Sequence, residues 1–196
     1  MHYSIWLSFF TYTIITAVTP GPNNILALNA TGRAGLKQSK NILLGIYSGF
    51  TCIMLICGLF SATLSVLLPG IMLYLKYIGA TYIIWLAWHV AVSTPPDISG
   101  QSLEQSFWRG FWLQFVNVKI ILYGITAFTG FILPYYQNPF SIGAFILLLS
   151  LIGNGATHLW AIAGAALSTF LGRHWRIANI SMSCLLLFSA FNLFYE

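Results

Sequence analysis

No charged residue stands between Ile120 and Gly172, and the same holds for residues 2–32, 41–75, 77–96 and 177–195. A water-facing fold cannot be assembled from such stretches, because its surface needs charged side chains throughout. Only 6% of the 196 residues are charged, against about a quarter in an average soluble domain. Hydrophobic residues make up 58%, and the mean hydropathy is +0.82. These values exclude a disordered chain, a nucleic-acid binder with a basic face and an ordinary soluble enzyme. The solvent that fits is lipid.

A bilayer core about 30 Å thick takes about 20 helical residues per crossing, so six crossings would use about 120. A β-barrel would alternate polar and apolar residues, and Ala144-Phe145-Ile146-Leu147-Leu148-Leu149 does not. The expected fold is therefore an all-α integral membrane domain over 1–196, with helices at 5–31, 42–68, 73–92, 107–133, 140–171 and 177–195. Pro69-Gly70 and residues 134–139 read as outer turns. The polar stretch 93–106, with Pro95, Pro96, Asp97 and Glu104, divides the chain into two sets of three helices, 1–92 and 107–196. An odd number of spans places a duplicated half upside down, and inverted repeats of this kind are a transporter design. Arg33, Lys37, Lys40, Arg109, Arg173 and Arg176 all fall on one side of that topology. The positive-inside rule makes that side cytoplasmic and puts both termini outside. The first apolar segment has no basic flank, so it reads as a retained helix rather than a cleaved leader. Cys52, Cys57 and Cys184, an odd set within spans, read as core fillers.

Two places inside the spans carry chemistry. Helix 1 is interrupted at Thr19-Pro20-Gly21-Pro22-Asn23-Asn24, about 22 Å along its axis and well inside the bilayer. Two prolines remove two backbone donors, and irregular backbone at that depth is tolerated only against protein or a wet cavity. Pro22 is placed to start a second half-helix whose bare N–H groups and positive dipole end suit a carboxylate. Asn23 and Asn24 add side-chain donors and acceptors. Carbonyls freed near Thr16 and Val18 are expected to accept from an ammonium group.

The corresponding place in helix 4 reads Gln114-Phe115-Val116-Asn117-Val118-Lys119. Lys119 lies about 18 Å past Phe107, too far from a helix end to snorkel. A lysine at that depth faces the bundle interior and carries function, here as an anchor for a carboxylate or as a titrating group. Asn117 and Gln114 share its neighbourhood. Helix 5 carries Asn154 and His158 four residues apart, and with Lys119 these are the proton-coupling candidates.

The absences point the same way. Asp97, Glu104 and Glu196 lie in the loop or at the terminus, so no buried carboxylate serves proton coupling or the side chain of a cationic substrate. No His, Cys or acidic set has ligand spacing, so no metal or other cofactor is expected. Ser48 within Gly45-Ile46-Tyr47-Ser48-Gly49 superficially suggests a hydrolase, but Gly45 and Gly49 read more simply as a small-xxx-small packing face. No enzyme is expected. A non-transporting membrane subunit, with the prolines only a kink, is the alternative from another class.

The segments Thr19-Pro20-Gly21-Pro22-Asn23 and Asn117-Val118-Lys119 resemble those of the lysine exporter (LysE/RhtB) superfamily of amino-acid efflux proteins, and the length and hydropathy agree over the whole chain. The wider segments 11–28 and 114–124 resemble the branch of it that exports cysteine and O-acetylserine. The resemblance implies a multi-pass protein of a bacterial inner membrane, exporting small neutral amino acids, with the alternative of a homoserine/threonine or leucine type. It implies no nucleic-acid partner and leaves a homo-oligomer open. Much of the superfamily has Asn-Pro-Lys where Val118 stands here, so whether helix 4 breaks as helix 1 does stays open at this point. The substrate site expected is Thr19, Pro20, Gly21, Pro22, Asn23, Asn24, Gln114, Asn117 and Lys119, with proton antiport through Lys119, His158 or Asn154.

Overall fold

A computed structural model describes residues 3–92 and 106–192, and among these there are helices and turns but no strand. The order is α1 (Tyr3–Val18), α2 (Pro22–Gln38), α3 (Lys40–Ala91), α4 (Phe107–Val116), α5 (Val118–Thr126), a π-helical turn (Ala127–Ile132), α6 (Pro139–Ala166), α7 (Ser168–Arg173) and α8 (Trp175–Asn192). The all-helical architecture expected from the sequence is borne out. Most of the loop expected at 93–106 lies outside the described residues.

Side chains are distributed inside-out for a water-soluble protein. Leu147, Leu151, Leu159 and Ile162 on α6, and Ile177, Ile180 and Phe188 on α8, are exposed, whereas Asn23, Asn24, Gln114, Asn117 and Thr157 are buried. In lipid the apolar exterior costs nothing, and the polar groups find partners inside. Residues Lys40–Phe60 and α6 are each long and apolar enough to cross a membrane. The bent pair Phe107–Val116 and Val118–Ile132 makes a third candidate if it is one span. Helix 1 falls short of that test because its break leaves α1 with 16 residues, about 24 Å of helix.

Several boundaries differ from expectation. The first helix does not stop at Thr31. Instead α2 runs on to Gln38, kinked at Gly35, which has the single positive φ (74°) among the described residues. Only a residue without Cβ takes that conformation at no steric cost. The fifth helix ends at Ala166 and is followed by the short α7. The outer turn before α6 is present, with the Asn138 side chain accepting from Ser141 N at 2.8 Å. Of the cysteines, Cys57 is buried as expected, but Cys184 is exposed because its position on α8 falls on the outer face.

The assigned helix α3 runs from Lys40 to Ala91, through the turn expected at Pro69-Gly70. The chain nevertheless doubles back. Arg109 lies 5.8 Å from the Trp85 ring, while the adjacent Gly110 rests on Ile42 and Ile46. A straight helix would set Ile42 and Trp85 about 65 Å apart. The two ends of α3 are thus side by side, and Ile42, Ile46, Ile83, Leu86 and Leu186 share one core. Close backbone approach holds α4 against α3: a Cβ on Gly45 would overlap the Phe107 carbonyl, and one on Gly49 the Phe111 carbonyl and Gln114 side chain. The two glycines are the packing face their spacing predicts.

Candidate functional site

Both helix breaks exist, and they meet. In the first, α1 ends at Val18 and Pro22 occupies the opening turn of α2. There its missing N–H is no loss. Gly21 at the N-cap has extended backbone (φ −161°, ψ 176°) and no side chain to cap the amides of Asn23 and Asn24. The first helical bond of α2 is Ile25 N to Gly21 O, 3.0 Å. The second break is a single residue. Asn117 leaves helical geometry (φ −85°, ψ 90°) between α4 and α5, and the axes bend by 60°. The question left open by Val118 is therefore answered: helix 4 is broken without a proline. Asn117 supplies the N-cap of α5, yet its side chain caps no amide there.

Lys119 bridges the two breaks. Its Nζ donates to Thr19 Oγ1 at 2.8 Å and to Thr19 O at 3.0 Å. A Cβ on Gly21 would sit 3.2 Å from the lysine Cδ and Nζ, so the glycine leaves room for the amine to lie across the break. No acidic residue occurs among the described residues, so the neutral oxygens of Thr19 stand where a carboxylate would otherwise pair with the ammonium. Asn23 and Gln114 exchange amide bonds at 2.8 and 2.9 Å. Gln114 also donates to Gly110 O at 2.9 Å, and Asn117 Nδ2 donates to Asn23 Oδ1 at 3.2 Å. Thr19, Gly21, Asn23, Gln114, Asn117 and Lys119 are thus one cluster.

The carbonyls freed at the first break, expected to accept from an ammonium group, already have donors within the protein. Thr16 O accepts from the Thr19 hydroxyl at 2.8 Å and Val18 O from the Trp160 indole at 3.0 Å. Asn24 Nδ2 donates to both Ala17 O (2.9 Å) and Thr19 O (3.0 Å), and its Oδ1 accepts from Thr157 at 3.0 Å. Unpaired buried carbonyls are costly, and the protein meets that cost with its own donors. Thr16 O and Val18 O each accept one such bond, and Asn24 acts as a brace.

Two adjoining cavities open onto the cluster. A small one of about 30 Å³ is lined by Thr16, Ala17, Gly21, Pro22, Asn23, Asn24, Phe50, Asn117, Lys119, Ile120, Tyr123, Gly153 and Thr157. Space of that size suits one or two waters. A larger one of about 580 Å³ shares Thr16, Pro22, Asn117, Lys119 and Tyr123 and extends along Tyr12, Ile15, Thr19, Pro20, Leu122 and Thr126 to Ile83, Leu185 and Phe188. That volume accommodates an amino acid. Both half-helix N-termini border the small cavity, and their dipoles and amides favour an anionic group there.

His158 and Asn154 lie elsewhere. His158 is exposed, with Nδ1 2.9 Å from the Tyr47 hydroxyl, and Asn154 faces Tyr47 O and Thr51 Oγ1 at 3.4 and 3.3 Å. Neither lines the cavities. The α6 residues that do are Gly153 and Thr157, each one position before its expected neighbour and so about 100° around the helix. His158 is bonded to Tyr47 rather than paired with Ser48.

The sequence reading also missed Tyr123, whose hydroxyl is buried without a partner, as is Asn117 Oδ1. Its position four residues after Lys119, on the same face, was the available signal.

Residues 14–196 match the family model described as LysE type translocator. Over 188 residues, 96% of each chain, this protein is 44% identical to a Salmonella typhimurium protein named cysteine/O-acetylserine efflux protein. Over the same span and coverage it is 43% identical to the Escherichia coli K12 protein of that name. No solved structure matches the chain.

Proposed function

The chain belongs to the LysE type translocator family, and from that premise we propose that it exports small neutral amino acids, with cysteine and O-acetylserine as its main substrates. It is a translocator, not an enzyme. The observation that carries the substrate reading is the meeting of two half-helix N-termini around Lys119 with no carboxylate among the described residues. A zwitterion's carboxylate is held by Lys119 and the bare amides of Asn23 and Asn24. Its ammonium group is held by Asn117 Oδ1, which is buried and unpartnered. A cationic side chain finds no counter-charge, which disfavours lysine. The names of the relatives supply the two substrates.

Transport follows alternating access between two inverted three-helix repeats in a bacterial inner membrane, with both termini periplasmic. The half-helices nearer the basic residues support this. On that side α2 is fastened to α6 through Thr31 Oγ1 and Ala161 O at 2.7 Å, and α4 lies on α3 at Gly110. The larger cavity runs the other way, along α1 and α5 toward Tyr12 and Thr126. This arrangement fits a carrier closed to the cytoplasm. Coupling is by proton antiport through Lys119, the titratable amine in the cavity wall, which carries its proton inward across the empty site and releases it to the cytoplasm as substrate binds. His158 lies outside that wall.

The deciding experiment is release of labelled O-acetylserine and cysteine from loaded proteoliposomes, with and without a pH gradient, against lysine and leucine. Gradient-dependent release of the first pair alone is the expected result. Release of none of the four overturns the export reading in favour of a non-transporting subunit, and release of leucine alone reassigns the substrate. Full transport by both Lys119→Ala and Asn23→Ala removes the site assignment.

A further inference from the structure

Tyr123 is 3% exposed, borders both cavities, and has a hydroxyl with no hydrogen-bond partner. A buried phenol O–H is normally paired, since leaving it unmade forfeits a full hydrogen bond. Its ring is fixed rather than loose: Tyr12 stacks on it at 6.0 Å and 16°, and Phe50 lies at 5.9 Å. The orphan donor is therefore held at a defined place just beneath the wall that Tyr123 lines in both cavities. One turn of α5, about 6 Å, separates it from Lys119 on the same face.

We infer that Tyr123 is the specificity-determining residue of the site, its hydroxyl donating to an acceptor atom that the substrate carries beyond Cβ. This rests on the proposed export of small neutral amino acids. With the carboxylate at Lys119, a substrate in the larger cavity has its side chain within reach of Tyr123, one turn along α5 and part of the wall of both cavities. A thiol sulfur or an ester carbonyl accepts from the phenol. A methyl or ethyl group of the same size leaves it unpaired, and a site built to hydrogen-bond a substrate group discriminates against the analogue lacking it. Phe50, brought close by Gly153, on which a Cβ would overlap the ring, limits the size of what enters.

The test is Tyr123→Phe, which keeps the ring contacts and removes the donor. Proteoliposome efflux is measured for cysteine, O-acetylserine and 2-aminobutyrate, in which a methyl replaces the thiol. The wild type should show a KM for 2-aminobutyrate about tenfold above that for cysteine. In the variant, KM for cysteine and O-acetylserine should rise about tenfold while that for 2-aminobutyrate and the maximal rates stay within about twofold. An unchanged KM ratio, or an equal loss for all three substrates, overturns the inference. Wild-type vesicles that release none of the three overturn the export reading itself, before the variant is needed. As a second measurement, 3-fluorotyrosine at position 123 of the wild-type chain should shift its fluorine resonance on adding O-acetylserine but not 2-aminobutyrate. No shift with either overturns the inference.

Discussion

The two helix breaks are built on opposite principles. The first spans three residues between Val18 and Pro22, and its exposed backbone is closed off by Thr19, Asn24, Trp160 and Lys119. The second is one residue, Asn117, and it leaves an amide oxygen unpaired in a buried wall. The break with the louder sequence signal has its carbonyls braced by the protein's own donors and keeps only the amides of Asn23 and Asn24 bare. The quieter one presents unspent hydrogen-bonding capacity, which is what a ligand needs.

The sharpest way to test this contrast is at the residue shared by both breaks. Lys119→Ala should lower efflux about 100-fold, the scale of a lost charge-assisted hydrogen bond to a carboxylate, with Lys119→Arg recovering part of it. Efflux within about threefold of wild type would detach the amine from transport.

Next come the two asparagines, compared as a pair. Asn24→Ala strips the donor from Ala17 O and Thr19 O and should cost about 3 kcal/mol of stability, read as a lower melting temperature in detergent. Asn117→Ala should instead raise substrate KM about tenfold with little change in melting temperature. If Asn117→Ala destabilises the protein as much as Asn24→Ala, the two breaks are the same kind of object and the contrast fails.

The smallest effect is expected at Val118→Pro. Position 118 opens α5, where proline has no N–H to lose. Asn117 is already outside the helical region that a following proline disfavours. Efflux should stay within about twofold. A large loss would show that α5 must shift its first turn during turnover.

Much of this was legible in the sequence, and for identifiable reasons. Uncharged runs give the lipid environment and the helices, and Pro20 and Pro22 give the first break because a ring in place of an N–H acts locally. Lys119 is legible because a charge deep in a span is expensive. What was not legible depends on which neighbour arrives. Nothing local says that Trp160 would cap Val18 O before a substrate could, or that Thr157 rather than His158 would turn inward. Asn117 breaks a helix with no proline, and only the assembled fold shows its amide reaching Asn23 on α2. Tyr123 looked like one more aromatic in an apolar helix, since a missing partner is visible only once all the neighbours are placed.

The pairing of Lys119 with neutral Thr19 oxygens also has an electrical consequence. A zwitterion adds no net charge, so the loaded and empty sites carry the same charge as long as the amine keeps its proton. Exchange of substrate alone then moves no current, whatever the voltage across the membrane. Current appears only when Lys119 gives up its proton on one limb of the cycle and regains it on the other. On the proposed reading, the lysine that anchors the substrate is thus also the element that decides whether voltage can drive the carrier.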